Sequence, residues 1–539
     1  MSRTPVQLKV IAHDARTEVL NLKPLPEGAV FKVLFVYPNV QRTRTAQVGI
    51  AVLSACLKRM GGQTRLFDST TLHRGHEMES FQRAVDEYQP DLLAYSVRSA
   101  EWSLVRELLA LGKSRGIRQI AGGPHPTHAP EETIPHVDAL VIGEGEGPIT
   151  DIVRRLQAGE SIAGIPNTWV NTPDGVVKSP KRDLIPDLDI LPLPDWRLFD
   201  DIHHRHSYIR DVMGDYEVVA AIEGSRGCPF TCTYCSNSAL MESYAGHGSW
   251  RREKSPQRIM EELTSFRDTF GSLDFVYWVD EIWLTGLERL KRFRDLYKPL
   301  IGAPFSIMER PECVTEEKIK VIADAGLYCI CIGLETGDED LRTRLLDRRT
   351  KLDVLRRAFT LPKRYGIKVH AFTMLGLPGQ DAASLMKTWR FMRDIMPHSA
   401  QFTIFFPLKG TRLHDQVVQM GLYDGKGTVE DVYEGTVLRQ ECIDKKLVCR
   451  YRWLFQTYAI RPGWWPIIAF HVCRKVGLAY WLLFKAGPAC SRAIRYQFGR
   501  LNNLRRCTPG VALRKIARNM VAVPGAAVSR LTRSLTPGR

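Results

Sequence analysis

Twice along its length this sequence alternates short, nearly continuous apolar runs with amphipathic stretches. That rhythm restricts the chain to parallel β-sheets covered by helices on both faces. The first series has strand candidates at Phe31–Tyr37, Thr64–Phe67, Asp91–Val97, Arg118–Gly122 and Val137–Ile142, with helical patterns such as Gln47–Met60 and Glu101–Arg115 between them. Five βα units predict an α/β, doubly wound, Rossmann- or flavodoxin-like domain over residues 30–158. Such a sheet takes its ligand in the crevice at the carboxyl ends of its strands. The second series occupies residues 217–410, with strand candidates Val218–Ile222, Phe275–Val279, Phe305–Met308, Tyr328–Leu334, Lys368–Leu375 and Gln401–Phe406. Six units suit a partial (β/α) barrel.

Residues 159–216 read as a linker. Pro166, Pro180, Pro186, Pro192 and Pro194 fall there, and proline continues neither a helix nor a central strand. His203, His204 and His206 in this stretch read as a solvated polar loop, because a metal site needs ligands at defined spacing.

Residues 411–539 are helical in pattern and end in a basic tail. No Asp or Glu follows Asp444, whereas 19 Lys and Arg lie between Lys445 and Arg539. That exceeds the whole-chain charge of +16, so the first 444 residues are slightly negative. Basicity therefore belongs to the tail, and no nucleic-acid partner is expected from the overall charge. Trp453, Phe455, Trp464, Trp465, Phe470, Trp481 and Phe484 alternate with cations, the composition of an interfacial membrane element. The competing reading is that these helices cap the barrel. With no apolar signal segment and no run of 18–20 apolar residues, the expected location is cytoplasmic, with peripheral membrane contact through the tail.

Twelve cysteines are thinly spread, and three stand apart: Cys228-Pro-Phe-Thr-Cys232-Thr-Tyr-Cys235 follows a strand candidate and Gly227. Three thiolates supply three of the four irons of a [4Fe–4S] cluster and leave one iron open for chemistry. Structural zinc is the alternative, but it takes four ligands in paired spacing, and no partner Cys-x-x-Cys exists in the chain. Cys329 and Cys331 read as small core residues, on the same strand face as Gly333 and Glu335.

The cysteine loop, with Tyr234 before its last cysteine, resembles the signature of the radical S-adenosylmethionine (SAM) superfamily. The resemblance implies that Cys228, Cys232 and Cys235 ligate the cluster, that Asp280 and Glu281 hold the SAM ammonium, and that Gly333 and Glu335 meet the ribose. Gly376 and Pro378, in Leu375-Gly-Leu-Pro-Gly379, would let backbone approach adenine. The first domain resembles the cobalamin-binding domain of one large radical SAM subclass, through Ser96, Ser99, Gly122, Gly123, His125, Gly143 and Glu144. A flavin or nucleotide domain is the other reading, although no GxGxxG or Walker loop is present. The D-x-H-x-x-G motif of histidine-ligated cobalamin enzymes is absent, since Asp68 and His73 are five apart rather than two. The resemblance therefore implies cobalamin without a lower histidine ligand from this domain, held by residues 30–158 alone.

Membership of this subclass implies a [4Fe–4S] cluster, SAM, cobalamin and a reductant such as flavodoxin or ferredoxin. It implies methylation of an unactivated carbon through a 5′-deoxyadenosyl radical and methylcobalamin, on a small-molecule or lipid-linked substrate. A cobalamin-using cyclase or ring-rearranging enzyme is an alternative, as is a carrier or sensor that binds both cofactors without turnover.

Overall fold

In the first domain the strand Lys32–Tyr37 (β1) is apolar throughout after its lysine, and Val33 through Tyr37 are all buried. A strand can bury successive residues only with a covered face on each side. Val33, Phe35 and Tyr37 enter one core, while Leu34 and Val36 enter the other. The computed structural model describes residues 20–26, 30–205, 216–427 and 435–463, with scattered positions to 474. Residues up to Ile460 form one unit and those from Arg461 a second.

β1 is joined by β2 (Gln63–Asp68), β3 (Leu92–Ser96), β4 (Arg118–Gly122) and β5 (Ala139–Val141), all parallel, in the order β2-β1-β3-β4-β5. This is the flavodoxin-like arrangement, whose order reverses between β1 and β3 and opens a crevice there. Helices Val48–Arg59 and Trp102–Ser114 lie close to the bounds expected of them.

Residues 159–216, expected as a linker, extend this sheet. β6 (Thr168–Thr172) pairs antiparallel with β5, and β7 (Gly175–Lys178) pairs with β6, giving seven strands. Pro166 and Pro180 flank this hairpin instead of interrupting it, and Pro173-Asp-Gly175 makes its turn, with Gly175 at φ +118°. The histidines of this stretch also depart from the solvated loop expected of them. His203 and His204 are buried. His203 Nε2 is in very close contact with the Asp68 carboxylate at the end of β2, and His204 Nε2 meets Trp196 O at 3.1 Å, its ring packed on Phe270. Each gains a polar partner that its neighbours in sequence do not reveal. His206 lies outside the described residues.

The second domain is a six-stranded parallel sheet in chain order: β8 (Val219–Ile222), β11 (Phe275–Trp278), β12 (Phe305–Glu309), β13 (Leu327–Glu335), β14 (Lys368–Leu375) and β15 (Ser399–Ile404). Two short antiparallel strands, β9 (Ser225–Arg226) and β10 (Arg252–Glu253), lie between β8 and β11 in sequence. β8 and β15 are the two ends of the larger sheet and do not pair, so the barrel is partial. Several of its helices start on side-chain caps, among them Ser255, whose Oγ accepts from Arg258 N, and Asp381, whose Oδ1 accepts from Ser384 N. Cys329 and Cys331 are buried with Val219 and Phe275, beside Tyr277 and Met308. They do not share parity with Glu335, because the register shifts between Gly333 and Glu335 and Glu335 takes φ +62°.

Helix Lys445–Tyr458 packs against β14 and β15 with Val448, Tyr451, Leu454, Phe455 and Tyr458 buried. The Phe455 ring lies 5.2 Å from that of Phe402 and 5.7 Å from that of Trp389. The buried face of this helix packs on the barrel, while Trp453 is only half-buried. Trp464, Trp465, Trp481 and Phe484 lie outside the described residues. Among the described residues no helix is long and apolar enough to cross a membrane.

Candidate active site

The cysteine loop hangs between β9 and the helix Ser236–Ser243. Gly227 leads into it at φ +86°, where a Cβ would lie 2.2 Å from Trp250 O, so only glycine fits. Arg251 Nη1 donates to Gly227 O at 2.9 Å and Trp250 Nε1 to Cys228 O at 3.1 Å. The Cys235 amide closes the loop onto Cys232 O at 3.2 Å. Cys228, Cys232 and Cys235 are free thiols. Burial, reinforced by the other two cysteines, pushes Cys228 up to about 11. Burial and the neighbouring Cys232 also raise Cys235. Cys228 and Cys235, two buried thiols that resist ionisation, suit a ligand bringing compensating positive charge, as iron does. Among the described residues no three His, Cys, Asp or Glu side chains converge on a single metal ion.

The residues expected around SAM divide into three groups. Asp280 is buried and accepts from Gly224 N at 2.9 Å and from the Ser225 hydroxyl, and burial raises its carboxyl to about 7. It anchors the root of the loop, its carboxylate already held by the Gly224 amide and the Ser225 hydroxyl. Glu281 is exposed and accepts from Asn237 Nδ2 at 2.8 Å, two residues beyond Cys235.

Tyr234, Gly333 and Glu335 meet at one buried cation that the sequence reading missed, Arg348. Its Nη1 donates to Tyr234 Oη and to Glu335 Oε1, each at 3.0 Å, and its Nη2 donates to Gly333 O at 2.8 Å. A Cβ on Gly333 would lie 2.4 Å from Glu335 Oε1. Gly376, at φ +74°, gives its amide to Gln380 Oε1 at 2.7 Å, and Pro378 is buried beside it. A second missed cation, Arg310, donates to Cys232 Sγ at 2.8 Å.

In the first domain a cavity of about 270 Å³ opens at the β1–β3 crevice, lined by Ser96, Gly122, Gly123, Gly143 and Glu144 among others. Ser99 and His125 do not line it. They contact each other, Nδ1 to Oγ at 3.3 Å, and His125 stacks 4.8 Å from Trp102. Burial lowers His125 to about 4.

Residues beyond 158 also build this cavity. Arg226, two residues before Cys228, lines it and pairs with Glu144 (3.2 Å), Glu146 (2.6 Å) and Glu223 (2.9 Å). Burial alone would raise Glu144, but Arg226 and Arg252 hold it below the usual carboxylate range. Tyr244, just past the helix that follows Cys235, donates to Ile142 O at 3.2 Å and closes over Gly143, where a Cβ would lie 1.9 Å from its hydroxyl oxygen. Residues 30–158 therefore do not line this cavity alone.

Residues 222–392 match the radical SAM superfamily and residues 40–153 the B12 binding domain. The chain belongs to the cobalamin-binding radical SAM enzymes. An uncharacterised methyltransferase of Pyrococcus horikoshii is 23% identical over 409 residues, spanning 73% of this radical SAM chain and 84% of that protein. An anaerobic magnesium-protoporphyrin IX monomethyl ester cyclase of Rubrivivax gelatinosus is 25% identical over 70% of this chain and 68% of its own. The radical SAM methyltransferase TsrM of Kitasatospora setae, solved with cobalamin and a [4Fe–4S] cluster, shares the fold with a TM-score of 0.58. It is 17% identical over 73% of this chain and 75% of TsrM. As a radical SAM enzyme with a B12 domain, this chain has a [4Fe–4S] cluster, SAM and cobalamin as its cofactors.

Proposed function

We propose that this enzyme is a C-methyltransferase acting on an unactivated carbon. The observation that carries the reading is the wall common to the two cofactor sites, where Arg226, just before the cysteine loop, lines the cavity of the first domain and Tyr244, just beyond the loop, packs on Gly143 of that lining. Cofactors that serve one substrate must act within a few ångströms of it, and a common wall provides that proximity. When bound, the cluster, SAM and cobalamin supply single-electron reduction, hydrogen-atom removal and methyl transfer.

The chain's residues hold and orient these groups. Cys228, Cys232 and Cys235 ligate the cluster. Exposed Glu281 receives the SAM ammonium, Glu335 is held by Arg348 toward the ribose, and the Gly376–Pro378 backbone borders adenine. Ser96, Gly122, Gly123, Gly143 and Glu144 receive cobalamin. A low-potential donor such as flavodoxin or ferredoxin supplies the electron. The substrate is a small or lipid-linked molecule, and the basic tail rests on an anionic membrane. The tail reading is supported by the 15 Lys and Arg, without one acid, from Arg461 onward.

Anaerobic reconstituted enzyme given SAM, a reductant and cobalamin should form both 5′-deoxyadenosine and S-adenosylhomocysteine. The resemblance to the cyclase favours a second reading, in which only 5′-deoxyadenosine forms. Neither product would appear from a carrier or sensor.

A further inference from the structure

Arg310 follows β12 with its guanidinium wedged between the cysteine loop and a carboxylate. Nη1 donates to Cys232 Sγ at 2.8 Å. Nε and Nη2 fork onto Glu312 at 3.2 and 2.8 Å, and the Thr350 hydroxyl completes that carboxylate's contacts. On its other side the guanidinium lies 3.8 Å from the ring centroid of Phe230, a residue within the Cys228–Cys232 span. Arg310 and Cys232 are each only 7% exposed.

This geometry has an electrostatic consequence. Reduction adds one negative charge to a cluster. A fixed cation hydrogen-bonded to a ligand sulfur stabilises the more negative state, and weak solvent screening at a buried position strengthens the effect. Hydrogen bonds to cluster sulfurs are a recognised determinant of iron–sulfur potentials. Glu312 works in the opposite direction, since its carboxylate offsets part of the guanidinium charge. Phe230 keeps water from the exposed face of the cation.

We propose that Arg310 is a positioning residue that sets the cluster's reduction potential, holding it higher through Cys232, with Glu312 as the counterweight. The proposal rests on Cys232 being a cluster ligand. The step it governs is the entry of one electron from the external donor, with no proton or leaving group involved.

The test is an EPR-monitored redox titration of full-length, anaerobically reconstituted protein without SAM, comparing wild type with Arg310→Met, Arg310→Lys and Glu312→Gln. Iron and sulfide analysis comes first, and wild-type protein without a cluster would overturn the ligand assignment instead of this proposal. Arg310→Met should make reduction at least tenfold less favourable, a fall of about 59 mV for one electron. Glu312→Gln should raise the potential, and Arg310→Lys should stay near wild type. Opposite shifts from the two charge-removing variants are not expected of a loop that has merely loosened. The proposal fails if both move the same way, or if Arg310→Met leaves the potential unchanged while weakening SAM binding, which would make Arg310 a SAM ligand. If Arg310→Met holds no cluster, the direction of the Glu312→Gln shift decides.

Discussion

Arg226 Nη1 meets Glu144 Oε1 at 3.2 Å across the boundary of the two cofactor domains, one residue bordering the cysteine loop and the other lining the cavity at the β1–β3 crevice. Arg226→Met would leave Glu144, Glu146 and Glu223 gathered without their common cation. Breaking a buried ion pair in this way costs about 3–5 kcal/mol. The variant should bind cobalamin at least tenfold more weakly and unfold at lower temperature, as read by equilibrium dialysis and calorimetry. Wild-type cobalamin affinity in a folded variant would make the contact purely structural.

Each of Cys228→Ala, Cys232→Ala and Cys235→Ala should lose the cluster, while Cys329→Ala and Cys331→Ala should retain it. Iron and sulfide content after anaerobic reconstitution, with the visible spectrum, separates the two groups. Full iron in Cys232→Ala would remove the basis of the site assignment.

Gly143→Ala should abolish tight cobalamin binding, because its Cβ would collide with the Tyr244 hydroxyl and φ is +80°. Adding Tyr244→Phe removes the colliding oxygen and should restore part of the affinity, though not the backbone strain. A double variant no better than the single one would place the whole cost in the backbone.

His125, His204 and His370 are each lowered by burial to about 4. The unfolded chain protonates these rings near 6.5 and the folded chain only near 4, so their stabilising contribution is full above pH 6.5 and is lost as pH falls toward 4. Each adds about 1.4 kcal/mol per pH unit to the slope within that window. Denaturant titrations from pH 7.5 to 5 should show this decline, and His204→Phe should make it shallower. A parallel curve for the variant would mean that His204 is not held neutral.

If the tail rests on anionic membrane, deleting residues 486–539 should weaken liposome co-sedimentation and leave cluster and SAM cleavage intact. Raised salt should weaken the remaining binding by screening its electrostatic part. Equal capture by neutral and anionic vesicles would remove support for the membrane contact.

The parallel strands were readable because a doubly covered strand must be apolar at successive positions, as in Val33–Tyr37. The cysteine loop was readable through its spacing. β6 and β7 were not, since β7 is wholly exposed and carries no burial pattern, and the prolines drew attention away from the Pro173-Asp-Gly175 turn. The cations were hidden for a different reason. Arg310, Arg348 and Arg226 belong to a residue type that usually faces water, and their partners lie 78, 114 and 82 positions away at Cys232, Tyr234 and Glu144. The bulge at Glu335 was likewise unreadable, because strict alternation is the default for a strand.

The contact of Tyr244 with Ile142 and Gly143 also bears on what can be exchanged between related chains. A cobalamin domain cut at residue 158 and grafted onto a foreign barrel would arrive without part of its cavity wall, Arg226, and without the Tyr244 ring that packs on Gly143. The smallest transferable block runs through the cysteine loop to Tyr244. A lineage that replaces its barrel strands from β11 onward, and the substrate with them, would keep the cobalamin cavity but must rebuild the SAM contacts of Glu281, Glu335 and Gly376–Pro378.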